Sequence, residues 1–294
     1  MTPASKIAAE RARAEFVALV ERGIEESDLG RAALLIAEEE EPRDDGQERA
    51  SHYTGLLDAI GVRASERVAK VDGANLRARV EAFNEFLFTD EGFAGNAENY
   101  YDPRNSLLTH VLDRRTGIPI TLSVVYIEVA RRLGIAVEGV GLPGHFIVRV
   151  QHDEDDESLQ GILVDPFNAK IIDADDCQER LDVIYGGQVA LADEHLRRVT
   201  TRQILFRMLQ NLKGIYTNAN LDREAISVIE RLMLLAPENH QERRDYGMLL
   251  ARHGRTADAA RELRRYLAAS PNGEDAGAVG EVLKRINSQL ARLN

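Results

Sequence analysis

The chain has 294 residues, of which 44% are hydrophobic, and a formal net charge of −12 at pH 7, values typical of a globular protein long enough for two domains. This negative charge repels phosphate backbones and anionic lipid surfaces, and no local basic patch offsets it, so we expect neither nucleic acid nor a membrane as partner. A single cysteine, Cys177, excludes a disulfide framework, and no apolar run reaches the length of a membrane span or a signal-peptide core, which together predict a cytoplasmic protein.

Helical patterns dominate the start of the chain. Residues 4–21 and 29–40 predict two helices, the second of which is ended by Pro42. Apolar spacing near three and four predicts another helix over 75–88. The composition then changes: residues 89–106, TDEGFAGNAENYYDPRNS, are rich in Gly, Asn and Asp and predict an ordered loop.

Two helices are predicted after this loop. Asn105 or Ser106 is the expected cap of a short helix through LLTHVLDRR, which we expect to end at Gly117. Pro119 stands where a first-turn proline is tolerated, and it begins a predicted helix that runs to Leu133. Apolar residues occupy nearly every face of this second helix, so we expect it to be central and buried.

Three short β-branched runs, AVEGVGL, HFIVRV and GILVDPF, follow and predict strands. We interpret the last two as an antiparallel pair joined by the acidic loop 151–160, whose DEDDE run is a solvated hairpin tip. If Val150 faces Gln160, the paired numbers sum to 310, and an unbulged ladder places His145 opposite Asp165. The arithmetic therefore predicts a histidine and a carboxylate as cross-strand neighbours, to within one or two residues of register.

From about residue 201 onward the chain is helical and repeats itself. Aligning 221–239 with 256–274 places Pro237 on Pro271, which gives a period of 34 residues. That period, with a small residue early in the second helix and a proline at its end, is the signature of tetratricopeptide helix pairs. The final helix, AGAVGEVLKRINSQLARL, is expected to cap the stack.

A histidine and a carboxylate on adjacent strands form a general-base arrangement, because the carboxylate holds the imidazole in one tautomer and stabilises it when it takes a proton. In thiol enzymes built this way, the nucleophile is a cysteine at the N-terminus of a buried helix, where the helix dipole lowers the thiol pKa. The buried helix predicted here has no cysteine. Cys177 follows the acidic run DADD, which raises a thiol pKa, whereas the dipole of a helix beginning there would lower it, so a functional thiol at Cys177 stays an alternative.

The run from Gly117 to Phe167 resembles the core of the transglutaminase-like, papain-related superfamily, in which Gly-x-Cys begins the central helix, His begins the next strand and Asp-Pro ends the one after. It resembles more closely the bacterial transglutaminase-core-2 branch, whose members carry C-terminal tetratricopeptide repeats. The likeness extends over roughly 29–195 and over the repeats.

This resemblance implies an α+β fold with a papain/transglutaminase-like core, in which a buried central helix packs on a small antiparallel sheet beside N-terminal helices. An all-α stack of tetratricopeptide helix pairs follows. We expect the transglutaminase-like domain with its N-terminal helical region over 1–198, and the repeats with their capping helix over 199–294.

Carried over residue by residue, the resemblance places His145 at the catalytic histidine of the family and Asp165 at its aspartate. Pro119 occupies the position of the nucleophile, and proline has no nucleophilic group. Thr121 and Ser123 carry the nearest hydroxyls. Each is either a nucleophile activated by His145 or a capping or backbone-bonded hydroxyl of its helix.

Four further residues are expected at the pocket around this pair: Tyr101, Asn105, Gly144 and Asn168. Structural alternatives stay open, namely Tyr100 and Tyr101 as core anchors of their loop, Asn105 as a helix cap and Asn168 as a turn residue. The seven histidines show no metal-ligand spacing with acids or with the cysteine, so we expect no metal, and no cofactor is indicated.

These features favour a transglutaminase/protease-like domain that lacks its thiol, a pseudoenzyme that acts as a non-catalytic binding or regulatory protein through its pocket and repeats. A protein or peptide partner is then expected. The alternative is a cysteine-independent hydrolase or acyltransferase that uses His145 and Asp165 with Thr121, Ser123 or an activated water. A third possibility is a repeat adaptor whose N-terminal domain is only a scaffold.

Overall fold

The structure is a computed structural model that describes residues 2–43, 48–71, 75–152 and 161–293, with side chains to residue 291. The predicted DEDDE hairpin tip therefore lies outside the described residues. The chain divides into two units, Met1–Leu205 and Phe206–Asn294, and the boundary falls inside one helix. Within the described residues, no helix has the length and apolar composition that a membrane crossing requires.

Four helices begin the first unit: α1 (Pro3–Glu21), α2 (Leu29–Glu40), α3 (Arg49–Val68) and α4 (Leu76–Asn84). The predictions for 4–21 and 29–40 are confirmed to within one residue. The helix predicted over 75–88 is α-helical only to Asn84 and continues as a π-helix, Glu85–Asp90. A 3-10 turn, Glu26–Asp28, leads into α2.

The Gly- and Asn-rich loop is ordered as predicted, and it contains β1 (Ala94–Gly95) and a 3-10 turn, Pro103–Asn105. The helix α5 (Leu108–Arg114) and the strand β2 (Thr116–Gly117) follow, and β2 pairs with β1 in parallel.

The predicted ends of α5 are wrong. Its N-cap is Leu107 rather than Asn105 or Ser106, because the Asn105 amide is hydrogen-bonded within the loop. The helix ends at Arg114 with Arg115 as its C-cap, which has a left-handed φ of 57°, and Gly117 belongs to β2.

The central helix is α6 (Pro119–Arg132), and every residue from 119 to 130 is buried. The prediction of a buried helix begun by Pro119 is thus confirmed. The helix ends before the predicted Leu133, and Gly134 follows with a φ of +69°.

Two buried carboxylates cap the N-termini of neighbouring helices. Glu128 of α6 accepts a hydrogen bond from the Gly30 amide of α2 at 3.0 Å. Glu38 of α2 accepts one from the Ala50 amide of α3, also at 3.0 Å. Because first-turn amides have no partner within their own helix, each carboxylate satisfies a buried donor and fastens one helix to the next.

A five-stranded antiparallel sheet lies against α6. Its strands, in spatial order, are β6 (Lys170–Ile172), β5 (Ile162–Asp165), β4 (Ile147–Val150), β3 (Val137–Val140) and β7 (Arg198–Val199). The arrangement of a buried helix packed on a small antiparallel sheet is the predicted core.

The predicted register of the β4–β5 pair is wrong by two residues. Val150 faces Ile162, not Gln160. The ladder begins beyond Gly161, whose backbone approaches β4 so closely that an added Cβ would lie 2.4 Å from the Val150 carbonyl oxygen. His145 precedes β4 instead of opening it.

The helix α7 (Ala174–Tyr185) follows β6, with Asp173 as its N-cap. Its fully buried residues, Cys177 and Leu181, pack against Val140, Leu142 and Ile147 of the sheet side. Most of the remaining surface of α7 is exposed.

The end of the chain is helical: α8 (Thr201–Asn218), α9 (Asp222–Leu235), α10 (His240–Arg252), α11 (Thr256–Ala269) and α12 (Ala276–Leu293). Helices α9 and α11 have starts and ends that both differ by 34 residues, which confirms the predicted period. Ala225 and Ala259, aligned in the sequence, are both fully buried, as are Ile229 and Leu263.

Candidate functional site

His145 and Asp165 form a buried hydrogen-bonded pair. The Nε2 atom of His145 lies 2.8 Å from Oδ2 of Asp165, and the two side chains are 4% and 3% exposed. The register difference of two residues does not separate them, because side chains alternate with a period of two and a shift of two keeps the same face. The two residues are therefore diagonal rather than direct neighbours, a separation that a histidine side chain spans.

The Asp165 carboxylate is saturated with donors. Its Oδ1 accepts from the amides of Phe167 and Asn168 at 3.0 and 3.2 Å, and its Oδ2 also accepts from the Asn168 side chain at 2.7 Å. Arg180 of α7 approaches Oδ2 to 3.4 Å. Burial acts to raise the carboxyl pKa, but the hydrogen bond and charge of His145, with Asn168 and Arg180, outweigh it, so the pKa of Asp165 is lowered.

The ionised carboxylate determines which nitrogen of His145 carries a proton. An ionised carboxylate only accepts hydrogen bonds, so Nε2 is the donor, and in the neutral ring Nδ1 is then the acceptor. The turn before β4 positions the ring, because the His145 amide bonds to the Leu142 carbonyl oxygen at 2.9 Å and Gly144 has a φ of +71°. General-base chemistry at this ring would therefore involve Nδ1.

The pair lines a pocket of about 290 Å³ that lies on the α7 side of the sheet. Its walls combine apolar and charged side chains from β4, β5, β6 and α7. The lining residues are Leu142, His145, Ile147, Asp165, Asn168, Lys170, Ile172, Asp176, Cys177, Glu179, Arg180 and Val183. Sequence reasoning missed Lys170, Asp176, Glu179 and Arg180, since only the folded chain brings β6 and α7 to the pair.

The three candidate residues at the start of α6, Pro119, Thr121 and Ser123, are all buried. Pro119 is the first residue of this helix. The hydroxyl of Thr121 accepts from the Ile118 amide at 3.1 Å and donates to the Asn105 carbonyl oxygen at 2.7 Å, which is the helix-capping alternative. The hydroxyl of Ser123 is buried and has no hydrogen-bond partner among the described residues, His145 included.

Asn105 is fully buried and holds the loop to α6. Its side chain donates to the Asn99 carbonyl oxygen at 2.7 Å and accepts from Asn96 at 3.1 Å, while its carbonyl oxygen receives the Thr121 hydroxyl. It acts here as an anchor of the loop.

The tyrosines of this loop are not core anchors. Tyr101 is 76% exposed and Tyr100 is 37% exposed. Tyr101 lines a separate, open pocket with its loop neighbours. A chain of aromatic contacts nonetheless connects the loop to the pair, since the Tyr100 ring lies 6.2 Å from Phe167, and Phe167 lies 6.3 Å from the His145 ring.

Two other residues expected at the pocket lie close to the pair. Asn168 lines the pocket and donates to Asp165. Gly144 packs closely against Ile184 of α7, because an added Cβ would lie 2.8 Å from the Ile184 Cδ1 atom.

Cys177 lies in the same pocket but is a poor nucleophile. Burial is the largest cause that raises the pKa of its thiol, followed by the charges of Asp176, Asp165 and Asp173, and together they raise it to about 11. The acidic run thus acts in the direction that the sequence indicated. The thiol packs in the apolar cluster beneath α7.

Metal coordination finds little support in the described part of the chain. There, no group of three or more His, Cys, Asp or Glu side chains has an arrangement able to hold a metal ion. The donors around Asp165 are the His145 ring, amides and a guanidinium, which occupy the carboxylate as hydrogen-bond partners.

Comparison with known families gives two matches. Residues 51–210 match the transglutaminase-like superfamily through its core 2 model, and residues 212–284 match the tetratricopeptide repeat. Both confirm the resemblance found in the sequence.

Among similar proteins, a UPF0162 protein of Xylella fastidiosa is 38% identical over 265 residues, which cover 88% of this chain and 90% of the relative. A UPF0162 protein of Pseudomonas aeruginosa is 29% identical over 193 residues, covering 64% and 69%. F-box only protein 21 of Mus musculus is 33% identical over 149 residues, which are 49% of this chain and 23% of that protein.

Proposed function

The chain belongs to the transglutaminase-like superfamily, and from that premise we propose that it is a binding or regulatory protein whose His145–Asp165 pocket recognises a ligand without covalent turnover. The observation that carries the proposal is the start of α6, where Pro119 occupies the nucleophile position and the Thr121 hydroxyl is bonded to Asn105 and Ile118. A general base remains, and the group it would activate is missing.

The proposal assigns the transglutaminase-like domain to residues 1–198 and the repeats to 199–294, with a protein or peptide as partner. Helix-pair repeats commonly present surfaces for protein partners. A bacterial cytoplasm is the proposed location, supported by the bacterial UPF0162 relatives and by the single buried cysteine.

Covalent labelling tests the absence of a nucleophile. We expect a fluorophosphonate probe to leave Thr121 and Ser123 unmodified, as read by mass spectrometry of the full chain, because one hydroxyl is a helix cap and the other is enclosed. Modification of either hydroxyl that disappears in His145→Ala would contradict the proposal and assign an enzyme.

A restored thiol tests whether position 119 is the nucleophile position. In a Cys177→Ser background, Pro119→Cys should form a thiolate with a pKa well below the usual value of about 8.5, because the helix N-terminus favours the anion and, at the nucleophile position that the family resemblance implies, so does the histidine. Thiolate absorbance followed against pH measures this without requiring access for a reagent.

The matched control for that experiment is Val62→Cys at an exposed position of helix α3, where the thiol should titrate normally. Adding His145→Ala to Pro119→Cys should raise the pKa of the thiol at position 119 part of the way back to its usual value. Equal thiol pKa values at positions 119 and 62 would contradict the assignment of position 119 as the nucleophile position.

A hydrolase that activates water is the second candidate, because the pocket beside His145 has room for water and polar groups to hold it. Incubation of the protein with an ester and peptide-amide library in ¹⁸O water separates the two functions. Incorporation of ¹⁸O into a product, lost in His145→Ala, would favour the hydrolase; its absence together with ligand binding would favour the binding protein.

A further inference from the structure

The exposed end of α7 is unusually apolar for a surface helix. Val183 is 80% exposed, Ile184 is 42% exposed and Tyr185 is 38% exposed, and the three are consecutive. Single exposed apolar residues are ordinary on protein surfaces, but a contiguous patch marks an interaction site.

This patch is continuous with the pocket. Val183 is itself a lining residue, and Ile184 packs on the backbone at Gly144, next to His145. The inner wall below Val183 is also apolar, with Ile147 and Ile172. An apolar side chain that covers Val183 would therefore extend directly into the pocket.

The segment that carries the apolar patch is rich in carboxylates. The segment 173–185 contains five acidic residues and one basic residue, Arg180, which is engaged with Asp165. Asp176 and Glu179 lie at the pocket itself, and among its described lining residues Lys170 is the one other Lys or Arg. The whole chain has a net charge of −12, so the local and the global fields have the same sign.

From this combination we propose that the α7 surface, defined as Val183, Ile184 and Tyr185 with Asp176 and Glu179, docks a peptide segment in which an apolar side chain is flanked by arginine or lysine. The apolar side chain enters the pocket over Val183, and the cationic side chains contact Asp176 and Glu179. Charge complementarity selects this occupant over an acidic peptide. The inference rests on the proposed binding function and adds the chemical class of the ligand.

Selection from a displayed library of random peptides, about nine residues long, on the full-length protein tests the proposal. We expect enriched sequences to contain a large aliphatic or aromatic residue next to arginine or lysine. Fluorescence polarisation then compares the best peptide with its glutamate-for-arginine counterpart. The basic peptide should bind at least about tenfold more tightly, and its affinity should fall as salt is added.

Two variants locate the peptide on α7. Val183→Ser should weaken binding about tenfold, whereas Val62→Ser, which changes a valine of 61% exposure on α3, should have no effect. Glu179→Lys should reduce or reverse the preference for the basic peptide. Because these side chains are exposed or at the pocket rim, thermal unfolding of each variant should match that of the wild-type protein.

Three results overturn the proposal: equal binding by the serine variants at 183 and 62, equal affinity for the acidic peptide, or no enriched peptide. A fourth is self-association in sedimentation experiments that Val183→Ser abolishes, since the occupant is then a second copy of the chain. The proposed binding function is tested by a different variant. It requires that His145→Ala bind the selected peptide more weakly than the wild-type protein does. If His145→Ala lowers the affinity for the selected peptide and Val183→Ser does not, only the assignment of the peptide to the α7 surface is wrong.

Discussion

Asp165 is the residue on which the candidate site depends, because one carboxylate holds His145, Asn168 and Arg180 together. Its neutral replacement, Asp165→Asn, should lower the free energy of unfolding at pH 7 by about 2–3 kcal/mol, since a buried charge-assisted hydrogen bond is lost and partners are left unsatisfied.

The pH dependence of that loss follows from the lowered pKa of Asp165. A carboxyl with a depressed folded-state pKa contributes stability above its unfolded pKa of about 3.9, and this stability is lost as the pH falls through the folded value. Urea unfolding should therefore show a full difference between wild type and variant at pH 7 that shrinks below about pH 4.

Asp58→Asn is the control for Asp165→Asn. Asp58 pairs with Arg132 at 2.7 Å but is 62% exposed, so its replacement should cost almost nothing. The role assigned to the Asp165 carboxylate would be contradicted if Asp165→Asn lowered the free energy of unfolding as little as Asp58→Asn does. A loss that grows as the pH falls would contradict it as well.

The Cys177 thiol should react slowly in the folded protein. Its pKa is raised from 9.0 to about 11 by burial and by the neighbouring aspartates, which leaves about one hundredth of the usual thiolate fraction near neutral pH. Alkylation by iodoacetamide at pH 8, compared in folded and urea-unfolded protein, measures the effect. A folded-state rate equal to the unfolded rate would indicate a functional thiol.

Individual site residues were predictable to different degrees. His145 and Asp165 were found because a strand period of two keeps them on one face even when the register is wrong by two residues. The alternatives for Thr121 could not be separated in the sequence, since its partner, the carbonyl oxygen of Asn105, lies 16 residues away in the chain. Arg180 was missed because its approach to Asp165 depends on how α7 packs.

At the scale of elements, the contact between α2 and α6 depends on a glycine. A Cβ added at Gly30 would lie 2.6 Å from the Glu128 carboxylate, which is held by the Gly30 amide, Arg131 and Arg132. Because the carboxylate is buried and bonded on both oxygens, it cannot move away cheaply.

Gly30→Ala should accordingly destabilise the protein by about 1–3 kcal/mol. The matched change is Gly55→Ala within α3, where the added Cβ meets nothing within 4 Å. That variant should be more stable by about 0.5–1 kcal/mol, because alanine favours the helix. Urea unfolding measures the change in the free energy of unfolding for both variants. A stabilising effect of Gly30→Ala would show that the Glu128 carboxylate moves away from the added Cβ at little cost.

The elements themselves were largely predictable where a pattern is local. Pro119 marked the start of α6, and its apolar faces indicated burial. The end of α5 at Arg115 was not predictable, because a left-handed arginine gives no sequence signal of the kind that a glycine gives. Strands β1 and β2, each two residues long, are too short for any periodicity to show them.

At the scale of the whole molecule, the two units differ in how much of their organisation is local. Repeat helices pack on their sequence neighbours, so the period of 34 residues could be found from two prolines, Pro237 and Pro271. The pocket of the first unit combines β4, β5, β6 and α7, which are joined by long-range contacts that a one-dimensional pattern does not contain.

If α9 and α11 are equivalent members of one repeat, equivalent substitutions in them should have similar costs. Ala225 and Ala259 occupy the same repeat position and are both fully buried, so Ala225→Leu and Ala259→Leu should each destabilise their helix pair by about 1–3 kcal/mol through overpacking. Native-state hydrogen exchange of the amides in α9 and α11 measures each effect locally. Ala268→Leu, on the exposed face of α11, is the control and should leave the exchange unchanged. A large cost at one alanine and none at the other would show that the two helix pairs, although related by sequence, do not pack in the same way.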